Sequence, residues 1–388
     1  MGAGTGPAVT PPSLRPPRPS TGPRAMRITR DVVLVVVISF AAGEVALRAW
    51  NAVSPCFIFY DDSYNRFRSM PHVPVHGFTT NSLGFLDTEP EAVKGGRVRI
   101  LGLGDSFAWG AVPYQDNYLT LVEDLLRARD PAYEVVNMGI PSTGPPDYLA
   151  ILVNEGLALD PDMVLLSFFI GNDFTERHRD RRLYDVSFVV ALLRYGAALR
   201  PCFEGQPSAD APYDDELPTL AEDHFLAVER RRATICTGPL DGFARLVDEA
   251  VAPIAEIKRL CRGRGIGLIV VMIPDEFQVD RELQAHIASS SGRSGTDVDW
   301  SRPQRMLGQR LDELGIATVD LLPPVAHRGA SERLYRRRDT HWNIAGNRLA
   351  AEEIARALLA EGSPLPPSRR EAPPRSLTRT AGTPPPPP

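Results

Sequence analysis

The residues RVRILGLGDSFAWG, at positions 97–110, indicate the fold most directly. Positions 98–103 are apolar except for Arg99, and a short apolar run followed by turn-forming residues is typical of a buried strand. Gly104 and Asp105 then lead to Ser106, and a helical pattern follows over 118–128. A buried strand that turns into a helix is the beginning of a β–α unit, so this stretch predicts an α/β protein.

The same alternation continues along the chain. Four more apolar runs lie at 134–138, 163–170, 267–273 and 317–322, and helical patterns lie at 147–156, 240–263, 303–315 and 344–360. Short apolar strands separated by amphipathic helices imply a parallel sheet with helices on both faces. We therefore predict that 97–360 forms a doubly wound, three-layer α/β sandwich with a mainly parallel five-stranded sheet.

Two other segments flank or interrupt this pattern. Residues 175–239 are rich in charge and only partly helical, so we predict an insertion after the third strand. Such insertions often form lids or substrate walls, and a purely structural excursion is the alternative. Residues 51–96, rich in aromatic residues, Pro and Gly, are predicted to be a lead-in segment packed on the surface.

The two ends of the 388-residue chain are rich in proline. Residues 1–30 and 361–388 combine Pro with Arg, Gly and Ser, and such segments bury too little apolar area to offset the entropy of ordering them. We predict that both ends are disordered. The net charge of −5 and the lack of a basic stripe with interleaved aromatic residues argue against a nucleic-acid partner.

A hydrophobic segment, DVVLVVVISFAAGEVALRAW, occupies 31–50, and five arginines precede its uncharged core. This pattern predicts a signal-anchor transmembrane helix with a cytoplasmic N-terminus and an exported remainder, in a single-pass protein of a bacterial cell membrane. A cleaved signal peptide and a buried helix of a soluble protein are the alternatives. We favour a retained anchor because no convincing cleavage site follows, and because Glu44 and Arg48 have the spacing of an ion pair.

Polar residues recur where the predicted strands end. They occur in GDS (104–106), NMG (137–139) and GND (171–173), and in DTHWN (339–343) before the last helix. The carboxyl ends of parallel strands meet at one edge of a sheet, so these four stretches are expected to face one crevice. Taken singly, each has a structural alternative, since a lone GDS fits an N-cap serine and a lone NxG or GND fits a turn.

Ser106 is the candidate nucleophile of this crevice. Gly104 permits the tight turn before it, and the start of a helix favours negative charge near the serine oxygen. The backbone amides of Ser106 and Gly139 and the side-chain amide of Asn172 would then form an oxyanion hole with three donors. Each donor of this kind contributes about 3–4 kcal/mol to transition-state stabilisation.

Asp339 and His341 are the candidate partners of this serine. A loop with one intervening residue can present a carboxylate and an imidazole side by side, with Asp339 accepting the Nδ1 proton and Nε2 facing Ser106. A metal site on the same pair is the alternative, but the sequence shows no evident third ligand. We therefore expect neither a metal nor a cofactor.

Two tryptophans and four cysteines are further candidates for a functional or structural role. Trp109 and Trp342 lie beside the polar stretches and are candidates for binding a sugar ring, with packing of the loops as the alternative. The four cysteines lack the CxxC spacing of a zinc or redox site. A disulfide between Cys202 and Cys236 across the insertion, or separate thiols, are the two possibilities that the sequence leaves open.

Taken together, the four stretches resemble the blocks of the SGNH (GDSL-like) serine hydrolase superfamily, in the same order. NSLGFLD, at 81–87, is similar to a segment that precedes the GDS block in bacterial membrane-anchored members. The resemblance implies the flavodoxin-like SGNH fold. It also implies that Ser106 is the nucleophile, His341 the base and Asp339 its orienting group, with Gly139 and Asn172 as oxyanion donors.

One departure from the common pattern concerns the reaction itself. Many members carry Asp-x-x-His, whereas DTHW (339–342) resembles a motif of alginate acetylation proteins, in which the Asp/His pair precedes the serine. The resemblance implies a serine esterase that acts through an acyl-enzyme on a small acyl ester, in the first place O-acetyl on a glycan of the cell envelope or outside the cell. A polysaccharide O-acyltransferase with the same triad is the first alternative, and a non-catalytic carbohydrate-binding module is the second.

Overall fold

The computed structural model describes residues 23–53, 71–75, 77–91, 93–175, 187–199, 213–290, 292 and 298–367. The predictions for residues 1–22 and 368–388, and for Cys56 and Cys202, lie outside these residues. Cys236 and Cys261 are buried, and neither forms a disulfide with another described residue. Because Cys202 is the proposed partner of Cys236, the disulfide stays a prediction.

The described residues form seven strands and twelve α-helices. The strands are β1 (Pro74–Val75), β2 (Phe78–Thr79), β3 (Val98–Leu103), β4 (Tyr133–Asn137), β5 (Met163–Phe169), β6 (Gly267–Ile273) and β7 (Ala317–Asp320). The helices are α1 (Pro23–Val53), α2 (Ser106–Trp109), α3 (Tyr118–Arg127), α4 (Pro145–Asn154), α5 (Phe188–Leu199), α6 (Glu222–Arg232), α7 (Thr234–Thr237), α8 (Leu240–Arg262), α9 (Arg281–Ser290), α10 (Arg302–Glu313), α11 (Leu322–Gly329) and α12 (Ile344–Leu358).

Five of the strands form one parallel sheet, in the order β4-β3-β5-β6-β7. This arrangement confirms the predicted doubly wound α/β fold, and the strand bounds differ from the predicted ones by at most two residues. All residues of β3, β4 and β5 are buried, because helices cover both faces. One hydrophobic cluster joins the sheet to α4, α8 and α10, and a second joins its other face to α3, α11 and α12.

The order of the strands determines where the polar stretches meet. The chain leaves β3, forms β4 at the edge, and then returns to form β5 on the other side of β3. The connections therefore diverge between β3 and β5, and such a switch point opens a crevice beyond the carboxyl ends of these strands. GDS follows β3 and GND follows β5, so both stretches border this crevice.

Two segments lie outside the repeating β–α pattern. In the described part of 175–239, the chain forms α5, α6 and α7 and adds no strand to the sheet. Helix α1 contains a possible membrane span, Arg30–Trp50, with a mean hydropathy of 2.1, and none of its most apolar window is buried. A core helix of a soluble protein would be mostly buried, so an anchor and a signal sequence are the interpretations that this exposure fits.

Candidate active site

Ser106 is the first residue of α2 and lies directly beyond β3. Asp105 is the N-cap of this helix, and its carboxylate accepts the Phe107 N–H at 2.9 Å. Asp105, and not Ser106, therefore caps the beginning of α2, which argues against the interpretation of Ser106 as an N-cap serine. Gly104 makes the turn possible, because a Cβ there would lie 2.8 Å from the Ala108 Cβ.

A continuous chain of hydrogen bonds joins the serine to His341 and Asp339. The Ser106 Oγ lies 2.8 Å from the His341 Nε2, and the His341 Nδ1 lies 2.7 Å from the Asp339 Oδ1. The Asp339 Oδ1 also accepts the backbone N–H of His341 at 3.1 Å, which sets the imidazole relative to the carboxylate. The structure thus brings together three residues from the two ends of the α/β domain, in the geometry of a general base and its orienting group.

Two further residues hold the outer oxygen of Asp339. The Thr219 Oγ1 donates to the Asp339 Oδ2 at 2.6 Å, and the Arg336 Nη1 donates to the same atom at 2.9 Å. Burial opposes ionisation of Asp339, but the charges of His341 and Arg336 and the hydrogen bonds from His341 and Thr219 hold the pKa of this carboxyl below its ordinary value. Asp339 is therefore a carboxylate at neutral pH and can stabilise a positively charged imidazole.

Neither of these supporting residues was identified from the sequence. Arg336 begins the RRRD run that leads to Asp339, which is a local signal of a cation near the carboxylate. Thr219 lies 120 residues away in the insertion, where nothing in the local pattern marks it. The backbone N–H of Thr219 also donates to the Arg337 carbonyl, so both the main chain and a side chain of the insertion bind the loop that carries Asp339 and His341.

Gly139 lies against the backbone of α2, the helix that begins with Ser106. A Cβ at this position would overlap the backbone nitrogen of Trp109 and would lie 2.6 Å from the Ala108 carbonyl carbon. Only glycine therefore fits there without a shift of the α2 backbone. Its N–H donates to the Asn137 Oδ1 at 2.9 Å. The predicted oxyanion donor is therefore already engaged by a side chain, and a substrate oxygen would have to share or replace that bond.

Asn137 connects Gly139 to the rest of the site. Its Nδ2 donates to the Ala108 carbonyl at 2.7 Å, and its backbone N–H donates to the Asp87 Oδ2 at 2.7 Å. Tyr114 donates its hydroxyl to the other oxygen of Asp87 at 2.9 Å. The lead-in segment thus supports the second block through Asp87, which is the last residue of NSLGFLD.

Asn172 lies in the turn that follows β5 and is half-buried beside the crevice. Its side-chain Oδ1 is buried and has no hydrogen-bond partner among the described residues. Burial raises the pKa of the neighbouring Asp105, and the Phe107 N–H, His341 and the Asn172 side chain act in the opposite direction. The structure therefore places Asn172 next to Asp105, which precedes Ser106, while the role of Asn172 as an oxyanion donor stays a prediction.

The two candidate sugar-binding tryptophans differ in position, and the prediction that Trp342 binds a sugar ring is wrong. Trp342 is only 1% exposed, and its ring packs edge-on against Phe107 and Tyr118 at 5.0 and 5.9 Å. It is paired with Tyr335 in an extended bridge, and neighbouring residues of an extended chain face opposite sides. His341 therefore faces the crevice and Trp342 the core. Trp109, at the end of α2, is half-buried and stays a candidate for substrate contact.

A buried group of charges lies behind the GND turn. The Arg232 Nη1 lies 3.4 Å from the Asp275 Oδ2 and 3.8 Å from the Glu229 Oε1, and both carboxyl groups are fully buried. Burial raises the pKa of both carboxyls, and their mutual proximity raises that of Glu229 further. A Cβ on Gly171 would overlap the Asp275 Oδ2, so this group packs directly against the turn that carries Asn172.

The comparison with known families concerns the C-terminal part of the chain. Residues 241–386, less than half of the chain, match the family model described as the SGNH hydrolase-like domain of the acetyltransferase AlgX. This range contains Asp339 and His341, whereas Ser106, Gly139 and Asn172 precede it. No curated protein matches the chain.

Several solved structures are similar at low identity. The acetyl xylan esterase AlAXEase is 14% identical, with 68% of this chain and 100% of that chain covered and a TM-score of 0.38. A catalytic mutant of an acetylxylan esterase from Geobacillus stearothermophilus is 16% identical, with 69% and 98% covered and a TM-score of 0.39. A putative lipolytic protein of the G-D-S-L family from Desulfitobacterium hafniense DCB-2 is 13% identical, with 67% and 99% covered and a TM-score of 0.36.

Proposed function

We infer that this chain is a membrane-tethered serine esterase of the SGNH-like superfamily, to whose acetyltransferase domain residues 241–386 are similar. It would remove a small acyl group, in the first place O-acetyl, from a glycan of the cell envelope or outside the cell. The single observation that carries this proposal is the unbroken hydrogen-bond chain from Asp339 through His341 to Ser106. A protein that only binds carbohydrate needs no such chain, which argues against the non-catalytic alternative.

The reaction would proceed in two steps. His341 Nε2 takes the Ser106 proton as Oγ attacks the ester carbonyl, and the negatively charged Asp339 stabilises the resulting imidazolium. The imidazolium then protonates the leaving alcohol, and an acyl-enzyme remains on Ser106. In the second step His341 removes a proton from water as the water oxygen attacks the acyl carbonyl. The imidazolium then protonates the Ser106 Oγ as its bond to the acyl carbon breaks, which releases the acid and restores the serine.

The tetrahedral intermediates need hydrogen-bond donors for their oxyanion. The Ser106 N–H at the start of α2 and the Asn172 amide are two candidates, with Gly139 as the third. Because the Gly139 N–H donates to the Asn137 Oδ1 at 2.9 Å, its contribution requires that this bond be shared or exchanged when the oxyanion forms. This donor would therefore contribute less to binding of the ground-state ester than to the transition state.

A polysaccharide O-acetyltransferase is the second candidate function. It is favoured by the match of residues 241–386 to the domain of an acetyltransferase and by the DTHW stretch that this range contains. The first step is the same for both reactions. They differ in the second step, where a sugar hydroxyl in place of water would receive the acyl group from Ser106.

Labelling with a fluorophosphonate probe tests the nucleophile. We expect the parent protein to be labelled and the Ser106→Ala variant to be unlabelled. Ser289→Ala is a matched control, because Ser289 is an exposed helical serine in α9. Labelling of the Ser106→Ala variant equal to that of the parent would contradict the assignment.

Acyl preference and the acceptor are tested separately. We expect faster turnover of p-nitrophenyl acetate than of esters with eight or more carbons, since a small-acyl site rejects long chains. Incubating the enzyme with acetylated xylan, with and without a deacetylated sugar acceptor, measures hydrolysis against transfer. A preference for long chains would refute the small-acyl proposal, and transfer exceeding hydrolysis would identify the acetyltransferase.

A further inference from the structure

We propose that α5 is a second membrane-contacting element, whose apolar surface meets the lipid acyl chains beside α1 and whose position is fixed by Glu44. This inference rests on the proposed membrane anchor and is independent of the proposed reaction. It concerns Phe188–Leu199, the first described helix of the insertion, and its contact with the end of the apolar segment of α1.

The Glu44 carboxylate holds the beginning of α5. Its Oε1 accepts the Phe188 N–H at 3.0 Å, and its Oε2 accepts the Val189 N–H at 3.1 Å and the Ser187 Oγ at 3.0 Å. The first N–H groups of a helix have no partner within the helix. A carboxylate from α1 therefore supplies partners for the first two N–H groups of α5, and the Ser187 Oγ accepts the third, from Val190, at 3.2 Å.

Arg48 balances the charge of Glu44. Its Nη2 and Nε donate to the Glu44 Oε1 at 2.6 and 3.0 Å, and its guanidinium lies 4.6 Å from the centre of the Phe188 ring. An isolated carboxylate in an apolar segment near lipid is unfavourable. Paired with Arg48 and bonded to α5, Glu44 has partners for both oxygens, which explains how it is accommodated next to the apolar core.

The two helices also pack closely at this point. A Cβ on Gly43 would lie 3.3 Å from the Val189 Cγ2, so the small residue permits the approach. Within the part of α1 whose burial is described, Gly43, Glu44 and Leu47 are half-buried and the neighbouring residues are exposed. The contact therefore occupies one narrow face of α1 and leaves the rest of its apolar surface open.

The composition and length of α5 suit a lipid surface. Its sequence is FVVALLRYGAAL, in which Arg194 is the only charged residue, and Leu192 and Leu193 are 40% and 67% exposed. Exposed apolar side chains on a helix attached to a membrane span continue the lipid-facing surface of that span. Twelve residues extend about 18 Å, which is shorter than the roughly 30 Å hydrocarbon core, so α5 would enter one leaflet or lie along its surface.

Depth-dependent fluorescence quenching on the full-length chain tests the proposal. In a background carrying Cys56→Ser and Cys202→Ser, an environment-sensitive fluorophore is attached to Leu193→Cys, and the protein is reconstituted in phosphatidylcholine–phosphatidylglycerol vesicles with doxyl-labelled lipids. Val36→Cys reports on the anchor, and Val93→Cys, whose parent residue is 78% exposed before β3, reports on the aqueous side. We expect blue-shifted, quenched emission at 36 and 193 and unquenched emission at 93.

The role of Glu44 is tested in the same system. Glu44→Ala removes the acceptor for the beginning of α5, so we expect quenching at position 193 to fall by at least half while quenching at 36 persists. Glu44→Gln keeps one acceptor oxygen and should give an intermediate value. Water-like emission at 193 together with quenching at 36 would overturn the proposal, as would quenching at 193 that is insensitive to Glu44→Ala. Unquenched emission at 36 would show that α1 does not enter the bilayer, which would overturn both the membrane anchor and the proposed role of α5. The labelling test of Ser106 does not depend on this result.

Discussion

The Thr219→Val variant tests whether the insertion takes part in catalysis by positioning Asp339. The substitution keeps the shape of the side chain and removes the hydroxyl that donates to the Asp339 Oδ2 at 2.6 Å. Arg336 still donates to the same oxygen at 2.9 Å, so the carboxylate keeps one of its two outer partners. We expect an active enzyme that turns over more slowly.

The size of the effect follows from the kind of bond that is lost. A hydrogen bond to a charged group contributes about 1.5–3 kcal/mol. If the full amount supports the imidazolium in the transition state, the loss of kcat would be roughly 10-fold to 150-fold, at about 1.4 kcal/mol for each factor of ten. Because Arg336 remains in place, we expect a value near 10-fold.

Steady-state kinetics on p-nitrophenyl acetate measure this effect. Thr219 and Asp339 are placed behind His341 and away from the ester, so the loss should appear in kcat with little change in KM. Thr219→Ser, which restores the hydroxyl, should recover most of the rate, whereas a purely structural role would not require the hydroxyl. Thr237→Val is the matched control, because the Thr237 Oγ1 donates to the carbonyl of Ala233, the residue directly before α7.

Particular outcomes would refute this reasoning. A kcat for Thr219→Val within twofold of the parent would show that the contact contributes nothing to the transition state. An equal loss in Thr237→Val, or no recovery in Thr219→Ser, would assign the effect to the stability of the insertion. Circular dichroism and the Tm of each variant distinguish a loss of catalytic positioning from a loss of stability.

Four other predictions concern the triad, the buried residues and the anchor. Ser106→Ala should abolish ester turnover, and adding His341→Ala should lower the residual rate by less than about tenfold, because the triad acts as a unit; additive losses in the double variant would contradict the arrangement. Burial raises the pKa of Asp87 to about 7. Between about pH 4 and pH 7 the folded protein therefore keeps a proton on Asp87 that the unfolded chain has released. The stability that this proton contributes is present below about pH 4 and is lost as the pH rises to about 7. Asp87→Asn should therefore show a smaller decrease in Tm between pH 5 and pH 8 than the parent does. Trp342→Ala should lower the free energy of unfolding by about 3–5 kcal/mol, as for other large core side chains, while Trp109→Ala should change it much less; denaturant titration compares the two. The full-length protein should remain with the membranes after a carbonate wash, and its recovery in the soluble fraction would exclude a retained anchor.

Local patterns in the sequence were sufficient for the architecture and for the order of the polar stretches at the strand ends. The central strands of the sheet are short apolar runs, because a strand buried on both faces has few positions for a polar residue. Arg99 of β3 is accommodated through its ion pair with Glu134 at 2.7 Å and through hydrogen bonds to the Leu159 and Glu91 carbonyls. The glycines and polar residues at the strand ends are equally local signals. A parallel sheet brings those ends to one edge, so Ser106 and His341 could be paired before their distance was known.

The tertiary structure determined how these residues are supported and which of them face the crevice. Thr219 reaches Asp339 across 120 residues, and Asp87 reaches Asn137 across 50, so neither contact has a signature in a local window of sequence. The bond from the Gly139 N–H to the Asn137 Oδ1 was also not evident from the sequence, while the role of Gly139 as an oxyanion donor stays a prediction. Trp342 was predicted to bind a sugar and instead packs in the core. Trp342 follows His341 in the sequence, and the chain is extended at this point, so the two side chains face opposite sides. Only the tertiary structure shows that His341 is the one that faces the crevice and Trp342 the one that is buried.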